Sequence, residues 1–177
     1  VGRRLPGTIV TTAGGCAAHL AACLGRERVR ELSEYLAERD AAPRGDVRAG
    51  PRRARVALQD SCHLRNALGV HRQPRELIGA VADYVELPGA AACCGAAGTY
   101  SLRRPSDSAT LLAPKLDAIE EADVDFVVAV NPGCLRQLRQ GLRRRRSRVR
   151  AAPGRAARTG RERPLPRSSR LTGDSTG

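Results

Sequence analysis

The sequence predicts an α/β fold with a largely parallel sheet flanked by helices, and three observations support this. Short runs rich in β-branched residues alternate with helix-period segments along most of the chain. The run Asp125–Val130 is continuously apolar after its first residue, as expected of a strand covered on both faces. A strand, tight turn, Gly-Cys, helix pattern also occurs twice. Residues Val10–Leu20 align without gaps to Val128–Leu138, with Gly15-Cys16 against Gly133-Cys134. The repeat reads as a duplicated module of which only the end of the first copy is present.

Taken in order, Thr8–Thr12 is a strand by β-branched content, and Ala13-Gly14-Gly15 turns the chain into a helix from Cys16 to Leu24. Leu32, Tyr35 and Leu36 at helical spacing predict a second helix over Glu27–Arg39. Pro43, Gly45, Gly50 and Pro51 break residues 40–54 into a polar connection. Arg55–Gln59 is the next strand, followed by a short helix from His63 to Leu68. Pro74, tolerated in a first turn, opens another helix to about Ala82. Tyr84–Leu87 is a strand ended by Pro88, and Gly89–Gly98 is a small-residue loop carrying Cys93-Cys94-Gly95. Asp107–Ala122 is helical with a kink expected at Pro114. After the strand at Asp125–Val130, Asn131-Pro132-Gly133-Cys134 turns into a last helix ending near Arg143. Residues 144–177 lose periodicity and are expected to be a disordered, Arg-rich tail.

Composition narrows the function. The only aromatic residues are Tyr35, Tyr84, Tyr100 and Phe126, so the core is built from Ala, Val, Leu and Ile. The net charge is +13, which invites a nucleic-acid reading, but the charge is unevenly placed. Of 31 basic and 18 acidic residues, twelve arginines and two acids lie in residues 143–177, leaving 19 basic and 16 acidic residues before them. The folded part is therefore near neutral, and the tail lacks the aromatics that stack on single strands; no nucleic-acid partner is expected. No stretch reaches the ~20 apolar residues of a membrane span, and Val1-Gly2-Arg3-Arg4 begins no apolar signal segment. Six cysteines in such a chain favour metal or redox chemistry over disulfides and a cytoplasmic location.

Cys16, Cys62 and Cys134 each follow a predicted strand at the start of a helix, and Cys93 and Cys94 lie in the loop after another strand. In a parallel sheet these five converge on the C-terminal edge, where open α/β sheets bind ligands. Helix N-termini favour thiolates, which iron and zinc require. Gly15, Gly95, Gly98 and Gly133 would let backbone approach a bulky cofactor and donate N–H groups to its sulfurs. Cys23, seven residues after Cys16 inside a helix, reads as a small packed hydrophobe. His63 reads as a neighbour of a ligand or a helix-start residue, His19 and His71 as surface or packing residues. Arg65 and Arg103 are available to balance cluster charge. Zinc sites usually show two Cys-x-x-Cys knuckles, whereas here the gaps are 30 and 39 residues around a vicinal pair, which fits a larger cluster.

Asp60-Ser61-Cys62-His63-Leu64-Arg65, Cys93-Cys94-Gly95-Ala96-Ala97-Gly98-Thr99-Tyr100 and Asn131-Pro132-Gly133-Cys134-Leu135 resemble the cysteine-rich CCG domain. The resemblance runs from about Thr8 to Leu142 and is strongest to the C-terminal part of glycolate oxidase iron–sulfur subunits. Lactate-utilisation iron–sulfur proteins and a heterodisulfide reductase subunit are more distant relatives. It implies an electron-transfer subunit without catalytic residues of its own. Such a protein binds a [4Fe–4S]-type cluster and works beside a flavin-containing oxidase subunit and other iron–sulfur subunits. The complex would oxidise glycolate or a similar 2-hydroxy acid and could meet the membrane peripherally. Cluster-ligand roles carry over to Cys62, Cys93, Cys94 and Cys134, with Cys16 as the last ligand of the first copy. Asn131 stands where the fuller motif has the first cysteine of a Cys-x-x-Cys.

The expected organisation is the end of a first module with its linker over 1–54, a second CCG module over 55–143, and the tail over 144–177. Where the family continues with a further strand, this chain enters Arg144-Arg145-Arg146, which reads as a frameshifted ending of a gene fragment. Two other classes compete: a basic nucleic-acid binder acting through the tail, and a thiol redox protein using Cys93-Cys94 directly. The adjacent pair would form a strained disulfide, which disfavours the latter.

Overall fold

The computed structural model describes residues 6–154. The main sheet has four strands: β5 (Arg55–Gln59), β6 (Asp83–Val85), β7 (Phe126–Ala129) and β8 (Arg150–Pro153), in the order β6-β5-β7-β8. All neighbouring pairs are parallel, with Leu58 opposite Val128 and Val128 opposite Ala152. Upstream, β1 (Ile9–Thr11) and β2 (Val29–Glu31) form a separate parallel pair, and β3 (Arg48–Ala49) and β4 (Arg52–Arg53) a minimal antiparallel one. The helices are α1 (Gly14–Leu24), α2 (Leu32–Ala37), α3 (Cys62–Leu68), α4 (Arg72–Val81), α5 (Tyr100–Arg103), α6 (Pro105–Glu121) and α7 (Pro132–Arg144). The α/β class and the parallel sheet are as the sequence predicts.

Alternation along the strands sends side chains to two cores. Ala57, Val127 and Ala129 meet Leu112, Leu116 and Ile119 of α6 and Leu138 and Leu142 of α7. Val56, Phe126 and Val128 meet Ile78 and Val81 of α4 on the other face. A sheet covered on both faces needs apolar side chains at successive positions, which explains the continuous run in β7. The chain thus leaves β5 towards one face, through α4, and leaves β7 towards the other, through α7. Where adjacent parallel strands part in this way, their C-terminal ends open a crevice.

Two expectations change. The helix foreseen over Glu27–Arg39 is instead a 3-10 turn at Arg26–Arg28, strand β2, and the six-residue α2. Gly25 ends α1 at φ +95°, and Val29 is fully buried opposite Ile9, so pairing with β1 overrides helical periodicity. Residues 150–153, expected in the disordered tail, form β8, so the fold extends beyond Arg143. Arg150 donates its N–H to the Asp125 carbonyl at 3.1 Å and stacks its guanidinium over Phe126 at 4.6 Å. Pro153 is tolerated there because β8 is an edge strand. The remainder of the expected tail, from residue 155, lies outside the described residues. The ending read as frameshifted begins at Arg144, and as far as Gly154 it is described and supplies β8, a further strand where none was expected. Pro114 sits within α6, which continues as one helix from Pro105 to Glu121.

The β1–α1 and β7–α7 units match the internal repeat, since Cys16 and Cys134 are each the third residue of their helix. Beside the first unit, Glu31 is 2% exposed and caps α2 by accepting from the Ser33 N–H at 2.8 Å. Burial raises its carboxyl above the usual range, against the hydrogen bonds from Ser33. A carboxyl raised by folding stabilises while protonated and loses that contribution as pH rises through its folded-state value. Glu31→Gln, which keeps an acceptor for Ser33, should therefore melt like the parent in acid and above it at neutral pH. Thermal melts across pH check this; a variant less stable at every pH would contradict it.

Candidate metal centre

Each cysteine is placed by the end of a strand. After β5, Asp60 and Ser61 turn the chain; the Ser61 hydroxyl caps α3 by accepting from Leu64 N–H at 3.4 Å, and Cys62 is the first helical residue. After β7, the Asn131 side chain accepts from Gly133 N–H at 3.0 Å, Pro132 opens α7, and Cys134 follows in its first turn. Asn131 thus serves as a helix cap where the fuller motif has a cysteine. The loop after β6 carries Cys93 and Cys94. Since β5 and β7 are neighbours and β6 borders β5, the three segments meet at the crevice.

Cys94 and Cys134 are buried, Cys62 is half-buried and Cys93 is exposed. Cys94 and Cys134 are in thiol–thiol hydrogen-bond contact, so the pair gives up one proton readily and holds the other. The bond from Cys134 brings Cys94 down to about 6, and the same bond, with burial, raises Cys134. Burial raises the Cys62 thiol, and the charges of Cys93 and Cys94 raise it further. These four thiols therefore lie within one another's electrostatic reach. Gly95 N–H donates to Cys93 Sγ at 3.4 Å, and Cys62 Sγ lies 3.6 Å from His63 Nδ1. Among the described residues no three His, Cys, Asp or Glu side chains stand as they would around a single metal ion. The arrangement is more open than a closed tetrahedral zinc site.

Four polar side chains fasten the cysteine loop from below. Gln59, 2% exposed, donates through Nε2 to the carbonyls of Ala90 at 3.2 Å and Ala92 at 3.3 Å. Lys115 of α6, 6% exposed, donates to Gly89 O at 2.8 Å and Ala90 O at 3.3 Å. Ser108 donates to Gly95 O at 2.8 Å and accepts from Gln137 of α7 at 2.5 Å. Burial lowers the Lys115 ammonium while the charges of Cys94 and Cys134 push it back up. Sequence reading missed these residues as site elements; the one available signal was that Lys115 is the single lysine. The turn before Cys62 is fixed by Asp60, which is 4% exposed and accepts from Arg65 at 2.7 Å and from Arg75 at 2.8 and 3.1 Å. Arg75 also grips Glu86 at 2.7 and 2.8 Å and, with Tyr84, holds that carboxyl down at about 2.

Cys16 is exposed at the start of α1 and follows β1 of the separate two-stranded sheet, so it does not share a sheet edge with the other four cysteines as the sequence suggests. An added Cβ on Gly14 would lie 2.5 Å from Ser61 Oγ, and one on Gly15 3.4 Å from the Asn131 amide nitrogen. The start of α1 therefore abuts the turns that present Cys62 and Cys134. Cys23 is exposed, contrary to the packed role expected of it, because its turn of α1 faces outward; its Sγ lies 3.8 Å from His19 Nε2. Arg65 is committed to Asp60, and Arg103 is exposed on α5. Gly133 leaves 3.5 Å between an added Cβ and Ala96, packing α7 against the cysteine loop. Gly98 holds φ +59° in open space. A depression of about 250 Å³ lined by Arg52, Asp125 and Arg148 opens at the opposite, N-terminal edge of the sheet, away from the thiols.

Fold and site together define a cysteine-rich α/β domain that gathers thiols at the C-terminal edge of its sheet. Residues 56–139 match the family model described as the CCG cysteine-rich domain, and the chain carries a domain of that family. It is 31% identical over 153 residues to the probable glycolate oxidase iron-sulfur subunit of Bacillus subtilis strain 168, covering 77% of this chain and 34% of that protein. It is 30% identical over 141 residues to a fumarate reductase (CoM/CoB) subunit of Methanothermobacter marburgensis, covering 76% and 28% respectively. Lactate utilization protein A of Oceanobacillus iheyensis is 34% identical over 94 residues, 52% of this chain and 38% of that protein. The chain thus spans about a third of the length of these relatives.

Gly95 makes the loop's tolerance measurable. It holds φ +75°, and an added Cβ would lie 2.6 Å from the Ser108 carbonyl oxygen and 3.2 Å from Ser108 Cα. Gly95→Ala meets both left-handed strain and a backbone collision and should cost about 1–3 kcal/mol. Urea denaturation reads this out as a lower midpoint; an unchanged midpoint would contradict the packing.

Proposed function

We propose that this chain is an iron–sulfur electron-transfer subunit of a flavin-linked 2-hydroxy-acid oxidoreductase, holding a [4Fe–4S]-type cluster on Cys62, Cys93, Cys94 and Cys134. The observation that carries this is the meeting of four thiols from three strand ends at the crevice between β5 and β7. The donor set suits the group: thiolates are its usual ligands, one cysteine already ionises at about 6, and a buried ammonium stands in the same field. The cluster, when bound, supplies one-electron redox chemistry.

The rest is the work of this chain's own residues. Cys94 and Cys134 form the buried half of the site, walled by Ala90, Ala96 and Leu112, which keep water from that side. Cys93 and Cys62 form the open half, and rotation of these less buried side chains closes the set. Gly95, with its N–H aimed at Cys93 Sγ, Gly98, which takes a left-handed turn, and Gly133, which keeps α7 close to the loop, are proposed to let backbone approach the cluster. The first turn of α7 adds positive potential at Cys134. The exposed position of Cys93 gives electrons a short path to a docked partner. Cys16, at the matching place in the β1–α1 unit, is proposed as the last ligand of that unit's own site.

The relatives' names, a glycolate oxidase subunit and a fumarate reductase subunit among them, support placement in a multi-subunit complex with flavin-containing and further iron–sulfur partners. Glycolate or a similar 2-hydroxy acid is the proposed substrate of that complex, oxidised on the flavin partner and not on this chain. A cytoplasmic site of action, with peripheral membrane contact through the complex, belongs to the same proposal; among the described residues no helix is long and apolar enough to cross a membrane.

Anaerobic incubation with ferrous iron and sulfide tests the assignment. The expected product is brown and contains about four iron and four sulfide per chain. Cys93→Ser and Cys94→Ser should each abolish most of this while leaving the far-ultraviolet circular dichroism intact. A folded, colourless and iron-free parent protein would overturn the reading.

A further inference from the structure

The single lysine of this chain occupies an unusual place. Of 31 basic residues all the rest are arginines, so a lone lysine in the core marks a position with special demands. Lys115 is 6% exposed, lies two turns beyond Ser108 on α6, and donates to Gly89 O and Ala90 O at the root of the cysteine loop. An ammonium has three hydrogens, so one is left without a protein acceptor among the described residues. No carboxylate forms an ion pair with it there either; Asp60, the buried acid of this region, is taken by Arg65 and Arg75. Arginine at this point would need room for a planar five-donor fork, which two carbonyls and a packed helix face do not provide.

A buried charge without a counter-ion is costly, and folds that keep one usually set it against an opposite charge. The opposite charges within reach of Lys115 are Cys94 and Cys134 foremost, then Asp60, which two arginines already pair, and then Cys93. A cluster held by thiolates is itself net negative and becomes more so on reduction. A fixed cation beside it therefore favours the reduced state, because the attraction grows with each added electron.

We propose that Lys115 is a positioning and charge-compensating residue of the metal centre: it holds the root of the cysteine loop through Gly89 and Ala90 and raises the reduction potential of the group bound there. This rests on the proposed function. Lys115 touches neither substrate nor reacting atoms; it acts through the field and through the loop. The two actions are separable by substitution, because glutamine keeps an N–H donor for the carbonyls and loses the charge, whereas methionine loses both.

The test is an optical and electron-paramagnetic redox titration of the full chain after anaerobic reconstitution, in parent, Lys115→Gln and Lys115→Met forms, with iron content and circular dichroism measured alongside. Both variants are expected to shift the reduction equilibrium about tenfold against the reduced state, ~59 mV downward for one electron. Folded variants that no longer retain the cluster would support the proposal in a stronger form, since the charge is then needed to hold it. Lys115→Gln within about twofold of the parent would overturn it, leaving Lys115 as a loop fastener alone. Loss of the fold in both variants would likewise overturn it. A parent chain that takes up no iron and sulfide refutes the proposed function, and this inference with it, which is a different result from a loaded parent whose potential the variants leave unmoved.

Discussion

Because β5 and β7 lie side by side in parallel and hand the chain to opposite faces of the sheet, their C-terminal ends part, and the rest of the site is arranged around that gap. Cys62 rises on one side and Cys134 on the other, and the loop after β6 closes over the gap with Cys93 and Cys94. Had the connections run to one face, α3 and α7 would not flank a crevice, and the thiols would be spread along an edge. The same pairing explains the composition of the strands. Covered on both faces, β7 is apolar throughout, and small residues such as Ala57 and Ala129 let the helices come close.

A loop of fourteen residues between β6 and α5, rich in Gly and Ala, has little apolar surface with which to hold itself in place. The structure solves this with buried polar fasteners. Gln59, Lys115 and Ser108 each donate to a loop carbonyl, and Gln137 completes the chain through Ser108. Buried hydrogen bonds of this kind contribute about 1 kcal/mol each when made and cost more when one partner is missing. Their chief effect is on geometry, since they fix the base of the cysteine loop while Cys93 at its surface stays accessible. The Asp60 network does the same for the turn before Cys62, with a buried carboxylate shared by two arginines.

Much of this was legible in the residues. The unit of strand, turn, Gly-Cys and helix identified β1–α1 and β7–α7 and placed both cysteines in a first helical turn. The alternation of elements gave the parallel sheet, and with it the convergence of Cys62, Cys93, Cys94 and Cys134. What could not be read had a common cause: its partners are distant in sequence. Val29-Arg30-Glu31 carries charges at two of three positions and forms a strand because β1 offers it an edge. Arg150–Pro153 has no β-branched residue and is a strand only because it lies beside β7. Lys115 and Gln59 face carbonyls some 25 to 33 residues away, which no local periodicity reveals. Cys23, expected inside, faces outward because α1 turns its inner side, with Ala17 and Ala21, towards its neighbours.

One polynuclear centre at the end of β5 and β7 would account for the whole arrangement. Diffraction from crystals of the reconstituted chain, collected on either side of the iron absorption edge, tests this most directly. The expected anomalous density is a single compact feature between Cys62, Cys93, Cys94 and Cys134, on the face of the loop away from Gln59 and Ser108. A folded chain with no ordered iron between these four cysteines would contradict it.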